Sequence, residues 1–267
     1  MDGRPLVLLH GFPEFWWGWR KQIDALANDG FRVVVPDMRG YGASDAPEGV
    51  EAYRRSLLVD DIIGLADSLD LRRFDLVGHD WGGLVAWPLA ASHAHRVRRL
   101  VILSAPHADT MNDELLKHPT QLLRSSYIAF FQLPWLAETT LRFNRFTVLR
   151  HALISSARAG TFSSSDLDRY IDLWGRDGRL TSMLNYYRAL RLPEPPVGRI
   201  TVPTRILWGA LDTALGVNLS HAAKEMCDQA ELMIRSDASH WLHLEEPAWV
   251  TAAISGFLNA DDREAAK

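Results

Sequence analysis

Asp80 lies at the centre of Gly78-His79-Asp80-Trp81-Gly82-Gly83, between an apolar run, Phe74 to Gly78, and a stretch of helical pattern, Gly82 to His93. Gly-x-nucleophile-x-Gly between a strand and a helix is a nucleophile elbow, a strained turn that lifts one side chain clear of the backbone. Here the lifted group is a carboxylate. A carboxylate can attack a saturated carbon in a strained ether or an alkyl halide and leave an ester on the protein. No Gly-x-Ser-x-Gly occurs in the chain, which argues against a serine esterase or lipase. The ester needs activated water, and His240 in Asp237-Ala-Ser-His-Trp241 is the candidate base. Asp212, in Trp208-Gly-Ala-Leu-Asp212, can hold that imidazole in one tautomer and stabilise its charged form. The rival acid position after Ser104 holds Ala105, Pro106 and His107, with no carboxylate. The rival base, His243, falls past the turn in Trp241-Leu-His-Leu-Glu245, where a surface or packing role fits better.

These residues need elements to position them. Short apolar runs read as strands at Pro5–His10, Phe31–Val35, Phe74–Gly78, Val97–Ser104, Thr204–Trp208 and Glu231–Ile234. Helical patterns separate them, over Trp16–Asn28, Ala52–Leu69, Gly82–His93, Val217–Asp228 and Pro247–Leu258. Alternating strands and helices predict a mostly parallel sheet flanked by helices. From His107 to Arg199 no clear strand appears; helices are expected at Asp113–Phe131, Leu136–Ala157, Ser165–Trp174 and Thr181–Leu190. The expected division is an α/β core, residues 1–105 and 201–267, with a helical cap at 106–200 that can roof one end of the sheet.

Composition narrows the partners. The 267 residues are 47% hydrophobic and 23% charged, the balance of an ordinary globular protein. A net charge of -4 leaves no basic surplus for phosphates, so no nucleic-acid partner is expected. The most apolar stretch, Gly82 to Ala91, is far short of a membrane span, and Met1 to Arg4 has no basic region leading into a signal core, so no membrane partner is expected either. The single cysteine, Cys227, excludes an intramolecular disulfide framework and fits a reducing cytoplasm. No metal-binding run such as H-E-x-x-H is present, so neither metal nor cofactor is expected; His10 and His79 read as buried, hydrogen-bonded histidines. Ten tryptophans point to core packing or to an aromatic pocket for an apolar ligand.

Taken together, His10-Gly-Phe-Pro-Glu14, Asp37-Met-Arg-Gly-Tyr-Gly42 followed by Ser44 and Pro47, and Gly78-His-Asp-Trp-Gly-Gly83 resemble the epoxide hydrolases of the α/β-hydrolase fold. The resemblance covers nearly the whole chain, most loosely in the inserted helices. It implies Asp80 as nucleophile, His240 as base and Asp212 as its orienting acid. In that fold the backbone N–H groups of Phe12 and Trp81 form the oxyanion hole. It also implies two cap tyrosines holding the epoxide oxygen. Tyr187, in Asn185-Tyr-Tyr-Arg188, matches one in preference to Tyr186; Tyr127, in Ser125-Ser-Tyr-Ile-Ala-Phe-Phe-Gln132, matches the other. His10, Pro13, Trp81, Trp135 and Trp241 are expected at the pocket wall. The implied reaction opens a small apolar or aromatic epoxide with water to a vicinal diol, with no cofactor. The alternatives are a haloalkane dehalogenase, with Trp81 and either Trp135 or Trp174 holding halide, and a non-catalytic binding protein of the same fold. The family has two strands before the one at Pro5, where this sequence has only Met1 to Arg4, either because the start is truncated or because the strands are absent. That leaves Val33-Val34-Val35 as an open sheet edge, which a second copy could pair to make a homodimer.

Overall fold

A computed structural model describes residues 3–260. Six strands, β1 (Arg4–Leu9), β2 (Phe31–Val34), β3 (Phe74–His79), β4 (Val97–Leu103), β5 (Thr204–Gly209) and β6 (Ala230–Arg235), form one sheet in the order β2-β1-β3-β4-β5-β6. Every neighbouring pair is parallel. Chain reversal between parallel strands needs crossovers, and helices supply them. These are α1 (Ile23–Asn28), α2 (Arg55–Ser68), α3 (Trp81–Ser92), α4 (Met111–Lys117), α5 (Pro119–Arg124), α6 (Ser126–Phe131), α7 (Leu136–Ser155), α8 (Ser164–Trp174), α9 (Arg179–Ala189), α10 (Val217–Glu225), α11 (Leu242–Glu245) and α12 (Pro247–Leu258).

Alternation along the strands builds a core on each face. Val7 and Leu9 of β1 join Leu76, Ile102 and the helices α2 and α3 on one face. Leu6 and Leu8 join Val77, Leu103, Leu207 and α12 on the other. β2 begins the strand order, so it is the sheet edge among the described residues, and its residues Arg32 to Val34 are half-buried.

Helices α4 to α9 all fall between β4 and β5. The single helix expected over Asp113–Phe131 is three short ones. Pro119 opens α5, and a residue before proline is pushed out of the helical region, so His118 ends the preceding turn at φ -125° and ψ 85°. The helix expected from Trp16 begins as a 3-10 turn, Trp16–Trp19, before α1. α7 is broken: Asn144, Arg145 and Phe146 are all left-handed, so its two halves do not share an axis. Cys227 is a buried free thiol, and burial pushes its pKa up to about 11.

Candidate active site

In a parallel sheet every strand ends on the same side, and the loops leaving those ends converge there. The loop after β1 carries His10 to Glu14, that after β3 carries Asp80, that after β5 carries Asp212, and that after β6 carries His240. Asp80 adopts φ 50° and ψ -118°, a conformation costly for a residue with a side chain. The glycines make the sharp turn possible. A Cβ on Gly82 would lie 2.3 Å from the Leu9 carbonyl oxygen, and one on Gly11 would lie 2.5 Å from the Asp80 Cβ. Close approach of backbone to backbone thus seats the elbow against β1.

The three expected groups meet. His240 Nδ1 is 2.7 Å from Asp212 Oδ2, and His240 Nε2 is 3.7 Å from Asp80 Oδ2. The other oxygen of Asp212 accepts backbone N–H groups from Ala214 at 2.9 Å and Leu215 at 2.8 Å. The second Asp80 oxygen, Oδ1, accepts the Phe12 N–H at 2.8 Å. Burial works against a charged His240, but the carboxylates of Asp212, Asp80 and Glu14 outweigh it and raise its pKa to about 9. The imidazole therefore rests as a cation between two carboxylates at neutral pH.

A cavity of about 360 Å³ opens above this line. Asp80, His240, Phe12, Pro13, Trp241, Tyr127 and Tyr187 all line it, with Phe130, Phe131, Leu141, Leu149 and Leu153 as apolar walls. The Tyr127 and Tyr187 rings lie 5.8 Å apart, centroid to centroid. Burial first raises both phenols above their ordinary pKa, with the negative charge of Asp80 adding to it for both and the neighbouring Tyr127 for Tyr187, which keeps them protonated as donors. Tyr186 is turned away and donates to the Arg39 carbonyl at 2.7 Å. A larger hollow, about 710 Å³, lies along Pro36–Arg39 and α2 and contains none of these groups.

Three expected pocket residues are elsewhere. Trp135 stands on the surface at the start of α7, with its backbone at φ 67° and its side chain exposed. His10 is wholly buried under the loop, accepting the Met38 N–H at 3.0 Å. Trp81 sits behind the cavity wall, edge-on to Tyr186 and Tyr187 at 5.1 and 5.0 Å. Nor do the halide-binding alternatives serve: Trp135 is exposed and lines no part of the cavity, and the Trp174 indole N–H is spent on the Pro13 carbonyl at 2.7 Å.

The sequence reading missed a buried polar cluster. Glu14 accepts the Tyr170 hydroxyl at 2.8 Å and lies 3.2 Å from His243 Nε2 and 3.6 Å from His79 Nδ1. His79 Nε2 is 3.0 Å from the His240 carbonyl oxygen, so the cluster underpins the loop that carries the base. His243 is buried, which fits the packing rather than the surface alternative, and burial pushes its pKa down to about 4. Burial opposes a charge on Glu14, yet its contacts to His243 and His79 hold it well below the ordinary carboxylate range. Among the described residues Glu14, His79 and His243 are the group whose ligand atoms are close enough to hold a metal ion. A lone carboxylate in the aromatic run Phe12 to Trp19 was the available signal. A second missed feature had no signal: Gln121 and Arg124 of α5 grip the backbone of the Asp212 loop. Arg124 donates to the Asp212 carbonyl at 3.0 Å, and Gln121 to that of Ala214 at 2.8 Å.

Residues 4–247 match the family model described as alpha/beta hydrolase fold. The AB hydrolase superfamily protein YfhM of Bacillus subtilis is 44% identical over 260 residues, which is 96% of this chain and 91% of that protein. Human epoxide hydrolase 4 is 38% identical over 270 residues, covering 98% of this chain and 74% of that protein. Among solved structures, a mutant of the epoxide hydrolase from Bacillus megaterium, complexed with its naphthyloxy-propanediol product, superposes with a TM-score of 0.87 at 30% identity. That alignment covers 97% of this chain and 94% of the other. Among the described residues no helix is long and apolar enough to cross a membrane.

Proposed function

The chain belongs to the α/β-hydrolase family and, within it, to the epoxide hydrolases, and from that membership we propose that it opens epoxides to vicinal diols through an ester on Asp80. The observation that carries the reading is the line Asp212–His240–Asp80 running under a cavity that two protonated phenols also face. Asp80 Oδ1 is held by the Phe12 N–H, which leaves Oδ2 to attack the epoxide carbon. The C–O bond of the ring breaks as the new one forms, and the departing oxygen takes its proton from Tyr127 or Tyr187. Esterification removes the Asp80 charge, one of those that hold His240 protonated, so the imidazole gives up its proton more readily, and that proton restores the phenolate left by the first step to a phenol. Neutral His240 then takes a proton from water, which attacks Cγ of Asp80. The tetrahedral oxyanion develops at Oδ1, where the N–H groups of Phe12 and Trp81 would receive it. Collapse expels the Oδ2 alkoxide, which takes a proton from His240 to become the diol; the new Asp80 carboxyl gives its remaining proton back to His240, which restores the carboxylate and the cationic imidazole.

Residues 106–200 act as the cap in this reading, because α5, α6, α7 and α9 supply Arg124, Tyr127, Leu149 and Tyr187 to the cavity wall. The apolar walls favour a small apolar or aromatic epoxide. The test is one turnover with excess protein in ¹⁸O-water. The diol should come out mostly unlabelled and the label should enter Asp80. His240→Gln should accumulate an adduct of one substrate mass, and Asp80→Ala should show none. Labelled diol in the first turnover, with an unlabelled peptide Gly78–Gly83, would mean that water attacks the epoxide directly.

A further inference from the structure

The outer face of the cap is unusual for a surface. Leu116 is 83% exposed, Leu123 75%, Trp135 77% and Phe143 70%, with Leu122 and Val148 also exposed. Single exposed apolar residues need no explanation, but this many on α4, α5 and α7, of which α5 and α7 both line the cavity, do. The backbone is distorted where two of the aromatics are exposed. Trp135 has φ 67°, and the left-handed run Asn144–Phe146 turns Phe146 inward against Trp174 while Phe143 and Arg145 stay outside. Charge accompanies the apolar groups. Arg142 and Arg145 flank Phe143 and are exposed, and neither pairs with a carboxylate among the described residues. α7 carries one carboxylate, Glu138, and Arg188 neutralises it at 2.7 Å. α7 carries three arginines, Arg142, Arg145 and Arg150, in a chain of net charge -4, while on α4 the exposed Asp113 is offset by the exposed Lys117.

We propose that this face of the cap docks on an anionic lipid bilayer. Exposed Trp, Phe and Leu beside arginines are what an interfacial surface presents: apolar groups enter the headgroup boundary and cations meet lipid phosphate. The expectation of no membrane partner rested on the lack of a spanning segment, which surface binding does not require. A second copy of this chain fits less well, because a two-fold contact would bring the same arginines face to face. Position gives the docking a use. Val148 and Arg124 line the cavity as well as reaching the surface, so the face borders its mouth. An apolar epoxide dissolved in the bilayer would reach Asp80 with little passage through water; that consequence alone rests on the function proposed above.

The experiment is co-sedimentation of the whole protein with vesicles of phosphatidylcholine alone or mixed with phosphatidylglycerol. The protein should pellet with the mixed vesicles, less so at raised salt. Trp135→Ser/Phe143→Ser and Arg142→Gln/Arg145→Gln should each lower the partition coefficient by about tenfold or more. Both variants should keep wild-type turnover of a water-soluble epoxide, which shows that they fold. Failure to pellet with anionic vesicles overturns the proposal, as does equal binding by wild type and both variants. A dimer in light scattering that the Trp135→Ser/Phe143→Ser variant dissolves would overturn it too, by assigning the face to a second copy. A protein that pellets but turns over no epoxide would count against the proposed reaction and leave the docking standing.

Discussion

Asp212→Asn should separate the two chemical steps, and the hydrogen bonds say how. One Asp212 oxygen accepts two backbone N–H groups, at 2.9 and 2.8 Å, and the other faces His240 Nδ1 at 2.7 Å. An asparagine has one oxygen and one NH2 to fill those places. With the NH2 toward Ala214 and Leu215, two buried donors lose their acceptor, at roughly 1–3 kcal/mol each. The amide oxygen therefore stays with the loop and the NH2 turns to the imidazole. Nδ1 must then accept, which moves the ring proton to Nε2, the atom that should take a proton from water. Loss of the correct tautomer in a comparable triad slows the base-dependent step by about 10⁴-fold. Alkylation uses Asp80 and the two phenols, so it should change by no more than about tenfold. In rapid-quench experiments the variant should give one equivalent of adduct at near wild-type rate and then stall. In the steady state kcat and KM should fall together, leaving kcat/KM nearly unchanged, because alkylation is the first irreversible step. Equal losses of kcat and kcat/KM, or an unaltered kcat, would refute the tautomer argument.

Tyr127→Phe and Tyr187→Phe should each slow adduct formation by up to about 10²-fold, and the double variant should form almost none, since each phenol can cover for the other; a double variant alkylated at wild-type rate would remove both from the reaction. A His240 pKa raised to about 9 stabilises the folded state most at low pH. That contribution is fully present below about pH 6.5, the value expected for the unfolded chain, and is lost as pH rises through the folded value. Urea unfolding should show the wild type losing more stability than His240→Gln across that window, and parallel curves would contradict the assignment. Gly82→Ala should cost about 1–3 kcal/mol in the same assay, because the new methyl has only main chain to meet; a neutral result would show that the elbow can shift without cost.

Much of the site was legible because its signals are local. The Asp80 elbow needs small residues within a few positions of the nucleophile, and those glycines can be read directly. The order of Asp80, Asp212 and His240 follows from where strands end, and strand positions follow from short apolar runs. Even the choice of Tyr187 over Tyr186 agrees with the cavity lining, since adjacent helical residues point in different directions and Tyr186 is turned to Arg39. Boundaries were less legible where one residue decides, as at Pro119, which divides a single periodic stretch between α4 and α5.

What the sequence determined by itself was the parallel α/β order and the identity of the groups that meet at the ends of the strands. Both rest on periodicity and on steric demands that act within a few residues. The tertiary structure alone decided which side chains reach the cavity. Trp135 is outside, His10 is underneath and Trp81 is behind the wall, although all three resembled lining residues. It alone assembled Glu14, Tyr170, His79 and His243 beneath the base, from positions as far apart as 14 and 243. The physical reason is that a side chain's burial and partners depend on which distant elements pack over it. Such packing depends on how the inserted helices settle on the sheet, and no spacing along the chain records that.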